Sequence, residues 1–379
     1  MPVHIGDLFS KDHHMTTLVR GFVSAFLLTV PCVSAEDDSP PVPSRAASTG
    51  DDALHQAITR ALVPIERSAL EYPKHRDCFS CHNQAIPALA LTTARDRGFA
   101  VDPEALGAIL DVTTHDLVAA QAAYERHEGQ GGGVTRAGYA LWTLALLDHP
   151  PDDTTRAVAA YVDDLIPNRD HWKTSSKRPP SESSPFTTTF VALKALSAYP
   201  VPADDDDLKQ RTSAVSEWLR NTETKETEDH VFRLWSLRHL AVDDESLRKA
   251  VDELLSTQKP DGGWPQLPDG QSDPYATATA LVALHLAGNL DTGEAPYARG
   301  LAFLLRTQEP DGTWKVESRS NPFQPYFESG FPYGANQFIS IAASSWATVA
   351  LTLALPESLG QHPDSCHRQS GETAHAPSG

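Results

Sequence analysis

Three residues of one octapeptide could do chemistry: "DCFSCHNQ", residues 77–84, sets Cys78, Cys81 and His82 in a C-x-x-C-H array. Two thiols at that spacing can add to the vinyl groups of a haem, and a histidine directly after them can ligate the iron from one side. The same side chains could give three ligands of a zinc site completed from elsewhere, or a small disulfide beside an incidental histidine. Covalent c-type haem is the expectation the spacing favours, with zinc as the alternative.

The ligand on the iron's other face is constrained by composition. Both methionines, Met1 and Met15, lie at the start of the chain in a segment expected to be removed. A haem here would therefore use a second histidine, from among His75, His127, His171 and His230, or keep an open position. A filled position suits electron transfer and an open one suits ligand sensing.

The compartment follows from that leading segment. Arg20, the apolar run "GFVSAFLLTV" and "VSA" ending at Ala35 have the order of a cleaved secretory signal. Export to the periplasm or medium is expected, where haem can be joined to thiols. Cys78, Cys81 and Cys366 then remain, an odd count too small for a disulfide scaffold, so the core must come from apolar packing. The formal charge of −19 argues against nucleic acid and anionic membrane surfaces as partners. No segment beyond the leader is expected to insert stably in a bilayer.

The elements that must position the octapeptide are helices. Apolar residues recur at spacings of three and four, and the segments pair into six hairpins. The first members, amphipathic with charged faces, are expected at 51–69, 103–123, 153–165, 205–220, 244–257 and 294–307. The second members, richer in Ala, Leu and Thr and more uniformly apolar, are expected at 85–97, 134–147, 186–199, 229–240, 274–287 and 338–355. A repeat of about 45 to 60 residues predicts an all-α (α/α)6 toroid, an outer ring around an inner one. The expected organisation is a signal at 1–35, a linker at 36–50, one toroid over 51–358, and a disordered tail at 359–379.

The joints are unequal. Those from a second member to the next first member are mostly short and acidic, and the groups Asp102, Asp152 with Asp153, Asp204 to Asp207, and Asp243 with Asp244 read as helix capping. Those from first to second member run long, so one face of the ring is elaborated, and sites favour long loops on rigid scaffolds. The octapeptide opens this face. "HWKTSSKRPPSESS" adds Lys173, Lys177 and Arg178, candidates for holding an anionic group; the last loop adds Phe323, Tyr326, Phe327, Phe331 and Tyr333, candidates for an apolar pocket.

"QKPDGGW" at 258–264 and "QEPDGTW" at 308–314, with "SGFPYGANQFISIAASSWATVALTLAL", resemble the Q-x-x-D-G-x-W repeats and final inner helix of squalene and oxidosqualene cyclases and their prenyltransferase relatives. That resemblance implies an α/α toroid over roughly 100–355. It also implies a structural role for Gln258, Asp261, Gly262, Trp264, Gln308, Asp311, Gly312 and Trp314 in tying neighbouring repeats. The D-x-D-D acid that those cyclases carry in a second domain is missing, as is the Asp, Cys and His zinc set of the prenyltransferases. The reading is a cyclase-like toroid bearing haem at its mouth, with a redox or ligand-sensing role and a redox partner or small apolar ligand. The alternatives are a terpene or triterpene cyclase-like isomerase lacking the D-x-D-D acid, and a glycan- or lipid-binding module.

Overall fold

The computed structural model describes residues 49–166, 170–321 and 325–356. The expected leader, most of the linker, the tail with Cys366, and Phe323 lie outside them.

Twelve helices alternate along the described chain. The outer members are α1 (Thr49–Glu71), α3 (Pro103–Glu125), α5 (Asp153–Asp164), α7 (Asp205–Asn221), α9 (Asp244–Ser256) and α11 (Ala295–Thr307). The inner members are α2 (Ile86–Asp96), α4 (Gly133–Leu146), α6 (Pro185–Ala198), α8 (Thr227–His239), α10 (Pro274–Leu286) and α12 (Gln337–Ala354). Each inner helix packs on the next, and α12 packs on α2, which closes the ring. All twelve expected segments are present, with ends shifted by a residue or two where caps set them.

Capping explains the acidic joints. Asp102, Asp152, Asp204 and Asp243 accept from backbone N–H groups two or three residues on, at 2.7 to 2.9 Å. Each satisfies a free donor at the start of an outer helix.

Small residues let the inner helices approach. Gly138 of α4 faces Val191 of α6 so closely that a Cβ would come within 3.0 Å of the Val191 backbone. The Ala- and Thr-rich faces are buried almost throughout, with Thr hydroxyls bonding back to carbonyls one turn earlier, as in Thr143 to Tyr139 at 2.8 Å. The segment Gly334–Ala354 is long and apolar enough by composition to cross a bilayer, yet 89% of its most apolar 18-residue window is buried inside the ring. Its apolarity is that of a core helix.

The two repeats act as cross-ties. Gln258 Nε2 donates to the Gly262 and Pro296 carbonyls at 2.9 and 2.8 Å, and Trp264 Nε1 donates to the Leu254 carbonyl at 3.0 Å. Asp261 accepts from Gly263 N and Ser272 Oγ, while Asp311 accepts from Thr313 N at 3.1 Å. The short strands β1 (Trp264–Pro265) and β2 (Ser272–Asp273) pair antiparallel in the loop after the first tie. In the second copy Gln308 Nε2 reaches the Gly312 carbonyl and, at 2.9 Å, the Ala57 carbonyl of α1. The last repeat is thereby joined to the first, and Trp314 Nε1 on the Leu304 carbonyl repeats the indole bond. Trp172 is a third copy that the sequence reading missed: its Nε1 donates to Val162 O at 2.8 Å, ten residues back as in the other two.

Candidate functional site

The long joints all lead into inner helices, so the N-terminal ends of those helices meet at one mouth. Cys81–Ala85 form one π-helical turn that runs directly into α2. Ser80 fixes its start: Ser80 N donates to Gln84 Oε1 at 2.8 Å, and Ser80 Oγ accepts from Asn83 N at 3.4 Å. The octapeptide is thus part of the inner ring, packed against α4 and α12.

Its histidine is held on both sides. His82 Nε2 lies 2.9 Å from Ser181 Oγ, and His82 Nδ1 lies 3.3 Å from Glu182 Oε1. The Glu182 side chain is only 2% exposed and also takes the Arg178 guanidinium. Ser176 Oγ donates to it at 3.4 Å, and the Cys81 thiol bonds to it as well. Burial pushes the Glu182 carboxyl up, but His82 and Arg178 outweigh that and hold it below the ordinary carboxylate value. The Cys81 thiol is pushed well up, first by burial and then by the Glu182 charge, so it stays protonated. Cys78 and Cys81 are both free thiols. Cys78 is half-buried and turns to Tyr72, whose hydroxyl donates to the Cys78 carbonyl at 3.0 Å.

This arrangement tests the cofactor readings on geometry. Haem ligation needs an imidazole nitrogen aimed at open space and both thiols on the same side. Here both nitrogens of His82 are engaged, Cys81 is drawn beneath Glu182, and Cys78 faces Tyr72. The donor set as folded does not fit haem. Among the described residues no three His, Cys, Asp or Glu side chains are grouped so as to hold a metal ion.

The other sequence candidates scatter. His75 is exposed, His127 pairs with Asp164 at 2.8 Å, and His171 stacks flat on Trp218 with centroids 4.4 Å apart. His230 lies beside Lys225 in a small cleft under Thr224, where burial and then the nearby Arg233 charge pull it down to about 4. Lys173 and Lys177 are exposed, whereas Arg178 turns inward to Glu182, so the basic loop does not act as one patch.

The aromatics of the last loop mostly pack it down. Phe331 is buried, Phe327 meets Tyr72 and Phe338 edge-on with Arg76 over its face, Tyr333 bonds Thr313, and of the described aromatics in this loop only Tyr326 is largely exposed. The loop is clamped over the mouth by Arg319 on Gln266 and Glu226, and by Ser320 Oγ on the Pro179 carbonyl at 3.1 Å.

An acid that the sequence reading passed over lies buried among the inner helices. Glu228, the second residue of α8, accepts from Thr187 Oγ1 of α6 at 2.9 Å and from Tyr275 Oη of α10 at 3.1 Å, and Tyr139 of α4 is an electrostatic neighbour. Burial pushes its carboxyl up to about 8, and the charges of Asp229 and Glu226 add to that against the two hydrogen bonds. Glu228 is therefore mostly neutral at pH 7. Below it on the same helical face stand Phe232 and Trp235, four and seven residues on. Trp235 meets Phe190 at 4.9 Å and, across the axis, Trp346 of α12 at 5.4 Å; Trp142 meets Phe190 at 5.6 Å. The i, i+4, i+7 pattern of Glu228, Phe232 and Trp235 was the available signal.

Comparison with known proteins agrees with this architecture. The squalene-hopene cyclase C-terminal domain family matches residues 231–347. The type II terpene cyclase MstE from Scytonema, in complex with geranylgeranyl dihydroxybenzoate, superposes with a TM-score of 0.55 at 16% identity, covering 81% of this chain and 99% of that one. The chain is a squalene cyclase-like α/α toroid. The toroid is 35% identical over 106 residues to lanosterol synthase of Candida albicans, which is 24% of this chain and 14% of that protein. It is 30% identical over 155 residues to drimenyl diphosphate synthase of Streptomyces showdoensis, 36% of this chain and 28% of that protein. The matched stretches thus span less than a third of either curated relative.

Proposed function

We propose that the toroid is a proton-initiated isomerase or cyclase acting on the alkene of an isoprenoid, with Glu228 as the acid. The observation that carries this reading is a buried carboxyl held by Thr187 and Tyr275 between inner helices, on the helical face that also carries Phe232 and Trp235, and pushed up by that burial. A neutral carboxylic acid can give its proton to an alkene carbon, and aromatic faces stabilise the cation that forms. Loss of a proton from a neighbouring carbon then yields the product, and the reaction is a net isomerisation. Tyr275 and Thr187 orient the carboxyl. The similarity to terpene cyclases and drimenyl diphosphate synthases supports an isoprenoid as the substrate class. Trp235 and Trp346 meet across the axis, which argues for a short isoprenoid end entering from the mouth over a folded triterpene.

The test is incubation of the purified protein with squalene and with prenyl diphosphates of increasing length, read by mass spectrometry of extracted products. An isomer of one prenyl substrate is expected, formed more slowly above pH 8 as Glu228 ionises, and abolished in Glu228→Gln. No product from any substrate, or equal product from Glu228→Gln, refutes the proposal.

A further inference from the structure

We infer that Ser181, His82 and Glu182 form a nucleophilic relay that hydrolyses a carboxylic ester, a second chemistry at the mouth of the ring. The three functions a serine hydrolase needs are a hydroxyl, an imidazole to take its proton, and a buried carboxylate to orient the imidazole and support its charge. The geometry has all three. Ser181 Oγ stands 2.9 Å from Nε2 and Glu182 Oε1 stands 3.3 Å from Nδ1, so the two partners occupy opposite nitrogens of one ring.

The arrangement is built from separate parts of the chain and held rigidly. His82 is fixed by the π-turn at the head of α2, while its partners come from a turn about a hundred residues on. That turn is pinned by Glu182 N donating to the Arg178 carbonyl at 3.0 Å and by the Arg178–Glu182 ion pair. Glu182 thereby keeps one oxygen for His82 and uses the other for Arg178 and Ser176. Both imidazole nitrogens are engaged, by partners of the types and at the positions that the chemistry requires.

The reaction balances with water alone. Ser181 Oγ attacks the ester carbonyl while its proton passes to His82 Nε2, and the same proton leaves with the departing alcohol as the acyl–Ser181 bond remains. Water then attacks the acyl carbon, gives a proton to Nε2, and releases the acid while Ser181 regains its proton. Phe338 presents an edge to the His82 ring at 6.5 Å and meets Phe327 at 5.6 Å, so the acyl group that fits is apolar. Ser181 is 2% exposed, so the turn that carries it must shift before an ester reaches it.

The experiment exposes the intact protein to an alkyl fluorophosphonate, maps the adduct by peptide mass spectrometry, and follows hydrolysis of p-nitrophenyl butyrate. One adduct on Ser181 is expected, with hydrolysis falling about a thousandfold or more in Ser181→Ala. His82→Gln, with its helical circular dichroism retained, is expected to lose the label. No adduct on Ser181 after prolonged exposure, an adduct elsewhere, or hydrolysis unchanged in Ser181→Ala overturns the inference. The adduct is read on the native protein, so it does not depend on a variant folding. It reports Ser181 alone, and it stands or falls independently of whether an alkene is isomerised.

Discussion

If Glu228 is neutral in the fold and ionised in the unfolded chain, the protein must lose stability as pH rises between those two pKa values. The unfolded carboxyl titrates near the ordinary value of 4.5, and burial pushes the folded one up to about 8. Between them the native state binds one more proton than the unfolded state, so the slope of unfolding free energy against pH is negative, about 1.4 kcal/mol per unit. The stabilisation is whole below 4.5 and is lost as pH rises through 8. Over the full interval of about 3.5 units the loss approaches 5 kcal/mol, an upper figure because water entry and relaxation soften buried charges.

The measurement compares the wild type with Glu228→Gln by urea unfolding at pH 4.5, 6, 7 and 8. Glutamine keeps the shape and can still bond Thr187 and Tyr275, but it cannot ionise. Other buried groups titrate in the same range. Asp273 is pushed up to about 6, chiefly by burial, and weakens the fold as pH rises from its unfolded value. His230 at about 4 and Lys194 at about 8 both lie below their unfolded values through burial, and they strengthen the fold as pH rises. All three are present in both proteins, so the difference between variant and wild type isolates Glu228. That difference should grow with pH, in favour of the variant, by several kcal/mol between 4.5 and 8. A difference that stays flat would mean that the carboxyl is already ionised in the fold, and the acid assigned to the proposed reaction would be lost with it.

Three further outcomes follow. Gly312 and Gly98 have nearly the same positive φ, +87° and +86°, but a Cβ on Gly312 would collide with the Arg60 carbonyl of α1, whereas Gly98 faces open space. Gly98→Ala should cost about 1–2 kcal/mol of thermal stability from backbone strain alone, and Gly312→Ala clearly more because it wedges open the ring closure; equal losses would refute the closure role. Trp172→Ala should cost about 3–5 kcal/mol in urea unfolding, as for a buried indole, and a loss under 1 kcal/mol would deny its place as a third tie. Protein produced with haem-maturation machinery should show no covalent Soret band after acid–acetone extraction; a retained band would mean that His82 leaves Ser181 for iron, and would overturn the ester-cleaving relay as well.

The ring was legible because its signals are local. Cap residues, three-and-four spacing and the contrast between charged and apolar helices each lie within a few turns, and Asp102, Asp152, Asp204 and Asp243 mark outer helix starts directly. Trp172 escaped because its flanking residues lack the Q-x-x-D-G frame, although its indole makes the same bond. The site was legible only in part. Spacing placed His82 at the mouth and brought Arg178 near it, but it could not show that Ser181 and Glu182 would take both imidazole nitrogens from 99 and 100 residues away. Glu228 was hidden for a related reason, since "TEDH" reads as a solvated helix start until α4, α6 and α10 close over it.

The two sites at the mouth share a neighbour, and that has a consequence for both. Tyr139 of α4 is an electrostatic neighbour of Glu228, Cys81 and Glu182, and its hydroxyl donates to the Ser181 carbonyl at 3.5 Å. Burial first, and then those three groups, push its phenol well above the ordinary value, so it remains a hydrogen-bond donor throughout the accessible pH range. Tyr139→Phe removes that donor without opening a cavity. If the phenol only fills space, neither reaction should change. If it steadies the turn that carries Ser181, fluorophosphonate labelling of Ser181 should slow several-fold while the pH dependence contributed by Glu228 stays in place. A shift of that pH dependence with labelling unchanged would instead assign Tyr139 to Glu228.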